Sequence, residues 1–269
     1  MTHLTYYTII GKDLNLIKAH IKNVKEYAGF NKLDCPKEIL VVQYHNESTK
    51  DVECAITEYL DLEPDVRVIH QHEDKDTFIE NLYDGWNLGY YHSQNGLVFR
   101  GGSDQVFSKD SFPAMLKAYE SIPEGEKITL QANSMECASK LAEIGCTSRH
   151  FAQDFGTTFE DFDYKRFEDF VANINYKVPE TLSIMQALHA WGKPTAFQSS
   201  LGVINRCDGL SWLMTKADWE KYGPMVPLTD GVTGDVTMHD KMQLDGYNML
   251  IVRDCMSYHF CRGESTHQY

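Results

Sequence analysis

Residues 96–110 read GLVFRGGSDQVFSKD, and this stretch decides how the chain folds. A short apolar run, Leu97 to Phe99, breaks into two glycines and a serine, and a lone carboxylate, Asp104, then stands ahead of Val106 and Phe107. So short an apolar run, stopped by glycine, predicts a strand buried on both faces. The segments before it alternate in kind. LTYYTIIG (4–11), KEILVVQYH (37–45) and DVRVIHQ (65–71) are β-branched or aromatic and predict strands. Between and after them lie helix patterns: LNLIKAHIKNVKEYAG (14–29), TKDVECAITEYLDL (49–62) and DTFIENLYDGWNLGYYHSQ (76–94). In the first of these Leu14, Ile17, Ile21 and Val24 fall at helical spacing and Gly29 offers a stop. An order βαβαβαβ is satisfied by a mainly parallel sheet with helices on both faces, whose right-handed crossovers gather the strands' C-terminal ends along one edge. Ligands of open α/β sheets sit outside that edge. Asp104, just past the fourth strand, is therefore expected in the ligand crevice, where Gly101 and Gly102 would let the backbone approach a phosphate.

The second half is less regular. KITLQANS (127–134) predicts another strand, EDFDYKRFEDFVANI (160–174) an acidic, aromatic-rich helix or lid, and KVPETLSIMQALHAWGKP (177–194) a helix bounded by Pro179 and the Gly192-Lys193-Pro194 stop. GLSWLMTKADWEKYG (209–223) pairs a strand with a short helix. GDVTMHDKMQLDGYNMLIVRDCMSYHF (234–260) is a helix, a turn at Asp245-Gly246 and a strand. With no repeat, low-complexity tract or Pro/Gly linker, the expectation is one domain over residues 1–269, with a nucleotide-binding half (1–110) and an acceptor-binding half (111–269).

Composition narrows the function classes. Of the 269 residues 42% are hydrophobic and 24% charged, an ordinary globular balance. No window approaches the roughly 18 apolar residues of a membrane span, and MTHLTYYTIIGKDLN lacks the features of a signal peptide, so a cytoplasmic protein is expected. With 25 basic against 39 acidic residues the formal charge is −14, which disfavours duplex nucleic acid as a partner. The seven cysteines form no CxxC pair and fit reduced, packed thiols.

Four segments taken in order, EILVV (38–42), GWNLGYYHSQNGLVFRGGSDQVF (85–107), GLSWLMTKADWEKYG and GDVTMHDKMQLDGYNMLIVRDCMSYH (234–259), resemble the family 2-type glycosyltransferases of the GT-A fold. The resemblance implies a Rossmann-like mixed, mainly parallel α/β sheet, a nucleoside-diphosphate sugar as donor and a divalent metal, Mn²⁺ or Mg²⁺, as cofactor. Gly102-Ser103-Asp104 matches the family's Asp-x-Asp element, with glycine in place of the first carboxylate. Gly234-Asp235 matches the acidic pair that opens a helix, which makes Asp235 the counterpart of the catalytic base. Gly246-Tyr247 matches the turn, and His259 the terminal histidine that joins Asp104 as metal ligand in some relatives. Ile10 and Asn87 fall where the family approaches the nucleotide. His45 stands at the end of the second strand, where the family usually has an acid that reads the base. Trp212 lies in the region that lines the acceptor pocket.

These residue types suit that chemistry. Transfer from a nucleoside diphosphate leaves charge on the departing diphosphate, which a hard cation held by oxygen ligands offsets, and a mixed oxygen and imidazole shell favours Mn²⁺ over Mg²⁺. The acceptor hydroxyl needs a base, a role for Asp235 that would invert the anomeric centre. Each residue also has a plainer reading. Asp104 suits an Asx turn, Asp235 a helix N-cap, His259 a core histidine and Trp212 a packing residue. The competing functions are a non-catalytic sugar-nucleotide or carbohydrate binder, to which the missing first carboxylate points, and a nucleotidyltransferase, whose usual Gly-rich basic loop has only IIGKDLN in its place.

Overall fold

A computed structural model of the chain describes residues 2–11, 13–45, 50–72, 78–143, 152–174, 184–187, 189–190, 193–194, 197–199, 202–204, 211–226 and 234–260. The order opens with β1 (His3–Ile10), α1 (Leu14–Lys22), β2 (Lys37–His45), α2 (Lys50–Asp61), β3 (Val66–His72), α3 (Phe78–His92) and β4 (Gly96–Gly102). It continues with β5 (Gln105–Phe107), α4 (Ser111–Glu120), β6 (Ile128–Cys137), α5 (Ala138–Glu143), β7 (Ala152–Gln153), α6 (Tyr164–Asn173) and β8 (Ile184–Ala187). Two short ladders follow, β9 (His189–Ala190) with β10 (Lys193–Pro194) and β11 (Phe197–Ser199) with β12 (Gly202–Ile204). The chain then forms β13 (Trp212–Thr215), α7 (Lys216–Tyr222), α8 (Gly234–Leu244) and β14 (Asn248–His259). It divides into two compact units, one made of residues 1–18, 34–103 and 212–246, the other of 19–33, 104–211 and 247–269.

In the first unit the strands lie in the order β3-β2-β1-β4-β13. The first four are parallel and β13 runs antiparallel to β4, pairing Trp212 with Arg100 and Thr215 with Leu97. Tyr6, Tyr7, Ile10, Leu40, Val42, Val98 and Phe99 are fully buried, as two-sided coverage requires. Helix α3 lies on β1 by virtue of two glycines one turn apart. A Cβ at Gly89 would overlap the Tyr7 ring, and one at Gly85 would come within 2.9 Å of Ile9 Cδ1. Gly89→Val is therefore expected to destabilise the protein by about 1–3 kcal/mol, because Tyr7 is pinned in the interior and cannot yield. A lower urea midpoint at unchanged slope would show it.

In the second unit β14 pairs parallel with β6 and antiparallel with β5 and β8, and β6 pairs parallel with β7. The β14–β6 register slips between Val252 and Met256: Val252 faces Ala132 while Met256 faces Asn133. Ser108 fills the irregularity, its Oγ accepting from Met256 N at 3.1 Å and its N–H donating to Met256 O at 2.9 Å. The acidic stretch at 160–174 is a helix from Tyr164 on, with Asp163 capping Arg166 N at 2.9 Å. Its aromatic residues turn inward, and Phe162 and Phe167 pack edge-on or tilted against Tyr258.

The sheet, mixed and mainly parallel with flanking helices, is the α/β architecture expected from the sequence. One element differs. The helix expected over 177–194 is replaced, where residues are described, by β8, β9 and β10. The reason is tertiary pairing: Ile184–Ala187 is taken as a partner by Val252–Met249 of β14, and backbone ladder bonds outweigh a weak local helical preference.

Candidate active site

Strand β14 ends with its last residue between two neighbours. His259 stands opposite Glu136 of β6 on one side and Gln105 of β5 on the other. The Phe260 N–H donates to Asp104 O at 2.9 Å, which carries the ladder one step further and brings the Asp104 side chain to the histidine. His259 Nε2 lies 3.1 Å from Asp104 Oδ2, and Nδ1 lies 2.8 Å from Glu136 Oε2. The imidazole is thus held between two carboxylates. Side-chain exposure is 12% for His259, 16% for Asp104 and 5% for Glu136, so the group is lined by protein yet open on the Asp104 side.

The surroundings fix this arrangement. Tyr258, next to the histidine, donates its hydroxyl to Gly156 O at 2.8 Å, and Phe155, Phe162 and Phe167 enclose its ring. Burial pushes the Tyr258 hydroxyl far above the ordinary phenol range, so it stays a donor. On the other flank, His20 Nδ1 lies 3.1 Å from Gln105 O, and burial holds this imidazole down at about 4. His20 is accordingly neutral at pH 7, and its Nδ1–H donates to the first residue of β5, next to Asp104. Ser211 Oγ donates to Gln105 Oε1 at 3.0 Å.

The donor set suits a divalent cation in part. Asp104 offers a carboxylate oxygen and His259 a ring nitrogen, and the bond from Nδ1 to Glu136 is the outer-shell contact that commonly orients a metal-binding imidazole. Among the described residues no group of three or more His, Cys, Asp or Glu side chains is arranged to hold a metal ion. A cation here would take the rest of its shell from water and ligand oxygens, as Mg²⁺ and Mn²⁺ do at phosphate sites.

The other expected site residues fall in the first unit. Ile10, His45 and Gly102 close the parallel strands β1, β2 and β4, so one edge gathers them, and Ser103 follows Gly102. Ile10 is fully buried; the His45 side chain lies outside the described residues. Asn87 spends its amide on one loop: Nδ2 donates to Met225 O at 2.7 Å, and Oδ1 accepts from Met225 N at 2.9 Å. Trp212 is fully buried, its ring edge-on to His239 at a centroid distance of 3.8 Å. Asp235 opens α8 as expected, but its side chain lies outside the described residues.

Two of the three residues expected to carry the chemistry, Asp104 and His259, are therefore in contact. Glu136 was missed by sequence reasoning. It sits in QANSMEC (131–137), and its one signal is a carboxylate in a strand buried along nearly all its length.

No family model and no curated protein sequence matches the chain. Solved structures do match in fold. A crystal structure of GalNAc-T7 with UDP, GalNAc and Mn²⁺ superposes with a TM-score of 0.58 at 10% identity, covering 96% of this chain and 44% of that one. The mannosyltransferase PcManGT from Pyrobaculum calidifontis, in complex with GDP-Man and Mn²⁺, gives 0.52 at 12%, covering 98% and 58%. Residues 1–349 of S. aureus TarS give 0.51 at 11%, covering 96% and 60%. The chain spans 44% to 60% of the length of these proteins, and what it shares with them is the GT-A fold.

Proposed function

We propose that the chain is a family 2-type glycosyltransferase that moves a sugar from a nucleoside diphosphate to an acceptor hydroxyl with inversion, assisted by Mn²⁺ or Mg²⁺. The observation that carries this reading is the meeting of Asp104 with His259, backed by Glu136, in a chain of GT-A fold. Asp104 and His259 would hold the cation, which when bound supplies positive charge against the departing diphosphate. Glu136 keeps Nε2 of the imidazole turned toward Asp104 by accepting from Nδ1. Gly102 and Ser103 leave the backbone approachable by the diphosphate, since Gly102 carries no side chain. Asp235 takes the proton of the acceptor hydroxyl as it attacks.

Glu136→Gln is expected to weaken Mn²⁺ affinity and transfer by roughly 10–100-fold, the usual cost of an outer-shell partner. Isothermal titration with Mn²⁺ in the presence of UDP or GDP would measure it. The reading as a whole is tested by melting the protein with UDP- and GDP-sugars and either cation. A stabilising shift and slow donor hydrolysis are expected with at least one pair, and none with any would overturn it. Gly102, in place of the family's first carboxylate, favours one second reading, a sugar-nucleotide binder without turnover. Binding without hydrolysis or transfer, unchanged in Asp235→Asn, would select it.

A further inference from the structure

Arg100 lies in the interior of the first unit, in a strand otherwise made of Leu, Val, Phe and Gly. It pairs in register with Tyr7 on one side and Trp212 on the other, so the three side chains share one face. The guanidinium is fully buried. Its Cζ sits 4.1 Å from the centroid of the Trp86 ring and 6.0 Å from that of Trp212. Nη1 reaches Met225 Sδ at 3.1 Å, a weak acceptor. Nε and Nη2 make no well-formed hydrogen bond among the described residues, nor does Nε1 of Trp212, while the Tyr7 hydroxyl lies close enough to Arg100 and to the Tyr90 hydroxyl to interact with both.

Packing does not account for this residue. A buried charge without a counter-ion is costly, and an apolar side chain of the same shape would serve a purely structural role better. The neighbouring phenols do not act as counter-ions. Burial pushes the Tyr90 hydroxyl up to about 12 and Tyr7 well above its usual value, Arg100 only partly opposing this, so both stay protonated. The acceptors that the described residues offer the guanidinium, the phenol oxygens and the Met225 sulfur, are all neutral, and no carboxylate among those residues joins them. Nε–H and Nη2–H moreover form the side-on edge of the guanidinium, two parallel donors that match a carboxylate or phosphate bidentately. The next residue of β4 on that face is Gly102, which adds no side chain between the cation and the strand's end. Of the aromatic rings around the guanidinium, Trp86 alone is partly exposed, packed against Ile9, Val42 and Tyr44.

We propose that the Nε–Nη2 edge of Arg100, with the Tyr7 and Tyr90 hydroxyls beside it, is a receptor for an oxyanion of the substrate, reached by displacement of the Trp86 indole. The inference rests on the glycosyltransferase reading in taking that oxyanion from the donor, either its diphosphate or a carboxylate borne by its sugar. Inorganic pyrophosphate and glucuronate stand for the two sources.

The test compares the full-length wild type with Arg100→Met and Arg100→Lys by melting and by tryptophan-fluorescence titration. The wild type is expected to be stabilised by one of the two probes, and which one names the source. Arg100→Met is expected to melt at or above the wild-type temperature without ligand and to bind that probe about 10–100-fold more weakly, the loss of a charged bidentate contact. Should Arg100→Met melt lower, Arg100→Lys decides: weaker probe binding at wild-type stability supports the receptor, and equal affinity overturns it. Undiminished binding by Arg100→Met, or no binding of either probe by the wild type, also overturns it. The two readings fail separately. UDP-sugar binding and turnover that survive in Arg100→Met remove the receptor and leave the glycosyltransferase. Arg100-dependent anion binding without binding of any sugar nucleotide does the reverse.

Discussion

Asp104→Asn is expected to lower sugar transfer by at least about 100-fold, more than the loss of an outer-shell partner costs. Asparagine keeps the size of the side chain and one carbonyl oxygen but loses the charge. The pair at 3.1 Å from His259 Nε2 then has no anion to set against a divalent cation. The fold should survive, because the strand pairing here runs through the backbone, Phe260 N to Asp104 O, and that bond is untouched. The signature is a donor affinity that no longer responds to Mn²⁺, read as Kd for UDP or GDP with and without the cation. A variant with wild-type Mn²⁺ dependence would remove Asp104 from the cation site and make the pair with His259 a structural contact.

The second large effect is expected at Asp235. Asp235→Asn should reduce kcat by about 10²–10⁴ while leaving the donor KM near its wild-type value, the pattern of a lost general base. The amide is isosteric and can still accept the backbone bonds of a helix start, so α8 should remain intact. On the proposed reading Asp235→Asn leaves donor binding to Asp104 and His259, and the two substitutions should therefore separate, one acting on binding and the other on turnover. Asp230, four residues before the helix opens, is the control. If Asp230→Asn carries the loss in kcat and Asp235→Asn does not, the base is Asp230.

The regular part of this architecture could be read from residue periods alone. The strands and helices from His3 to Gly102 fall where the alternation of β-branched runs and 3.6-period faces puts them, because each buries a face that its own sequence marks. The pairing of Asp104 with His259 was legible only through resemblance, since 155 positions separate them and no local pattern links the two. Glu136 was not legible, because its role comes from the register of β14 on β6, a non-local choice. The same strand explains the helix misread at 177–194, where an edge of β14 recruits Ile184–Ala187. Arg100 had a signal that went unused: a cation in the middle of LVFRGG, in a strand predicted to be covered on both faces, needs a reason to be there.

The slip in β14 has its own consequence. Val252 is offset from its partner by 120 positions and Met256 by 123, an odd change, and side chains alternate from one side of a strand to the other. From Val252 to His259 is seven positions and from Ala132 to Glu136 only four, so the kink absorbs the difference and still delivers the imidazole beside its acid. Ahead of the kink the strand's second neighbour is β8 and beyond it β5, so the irregularity is where β14 exchanges partners along that edge, and His259 owes its placing to the later of the two.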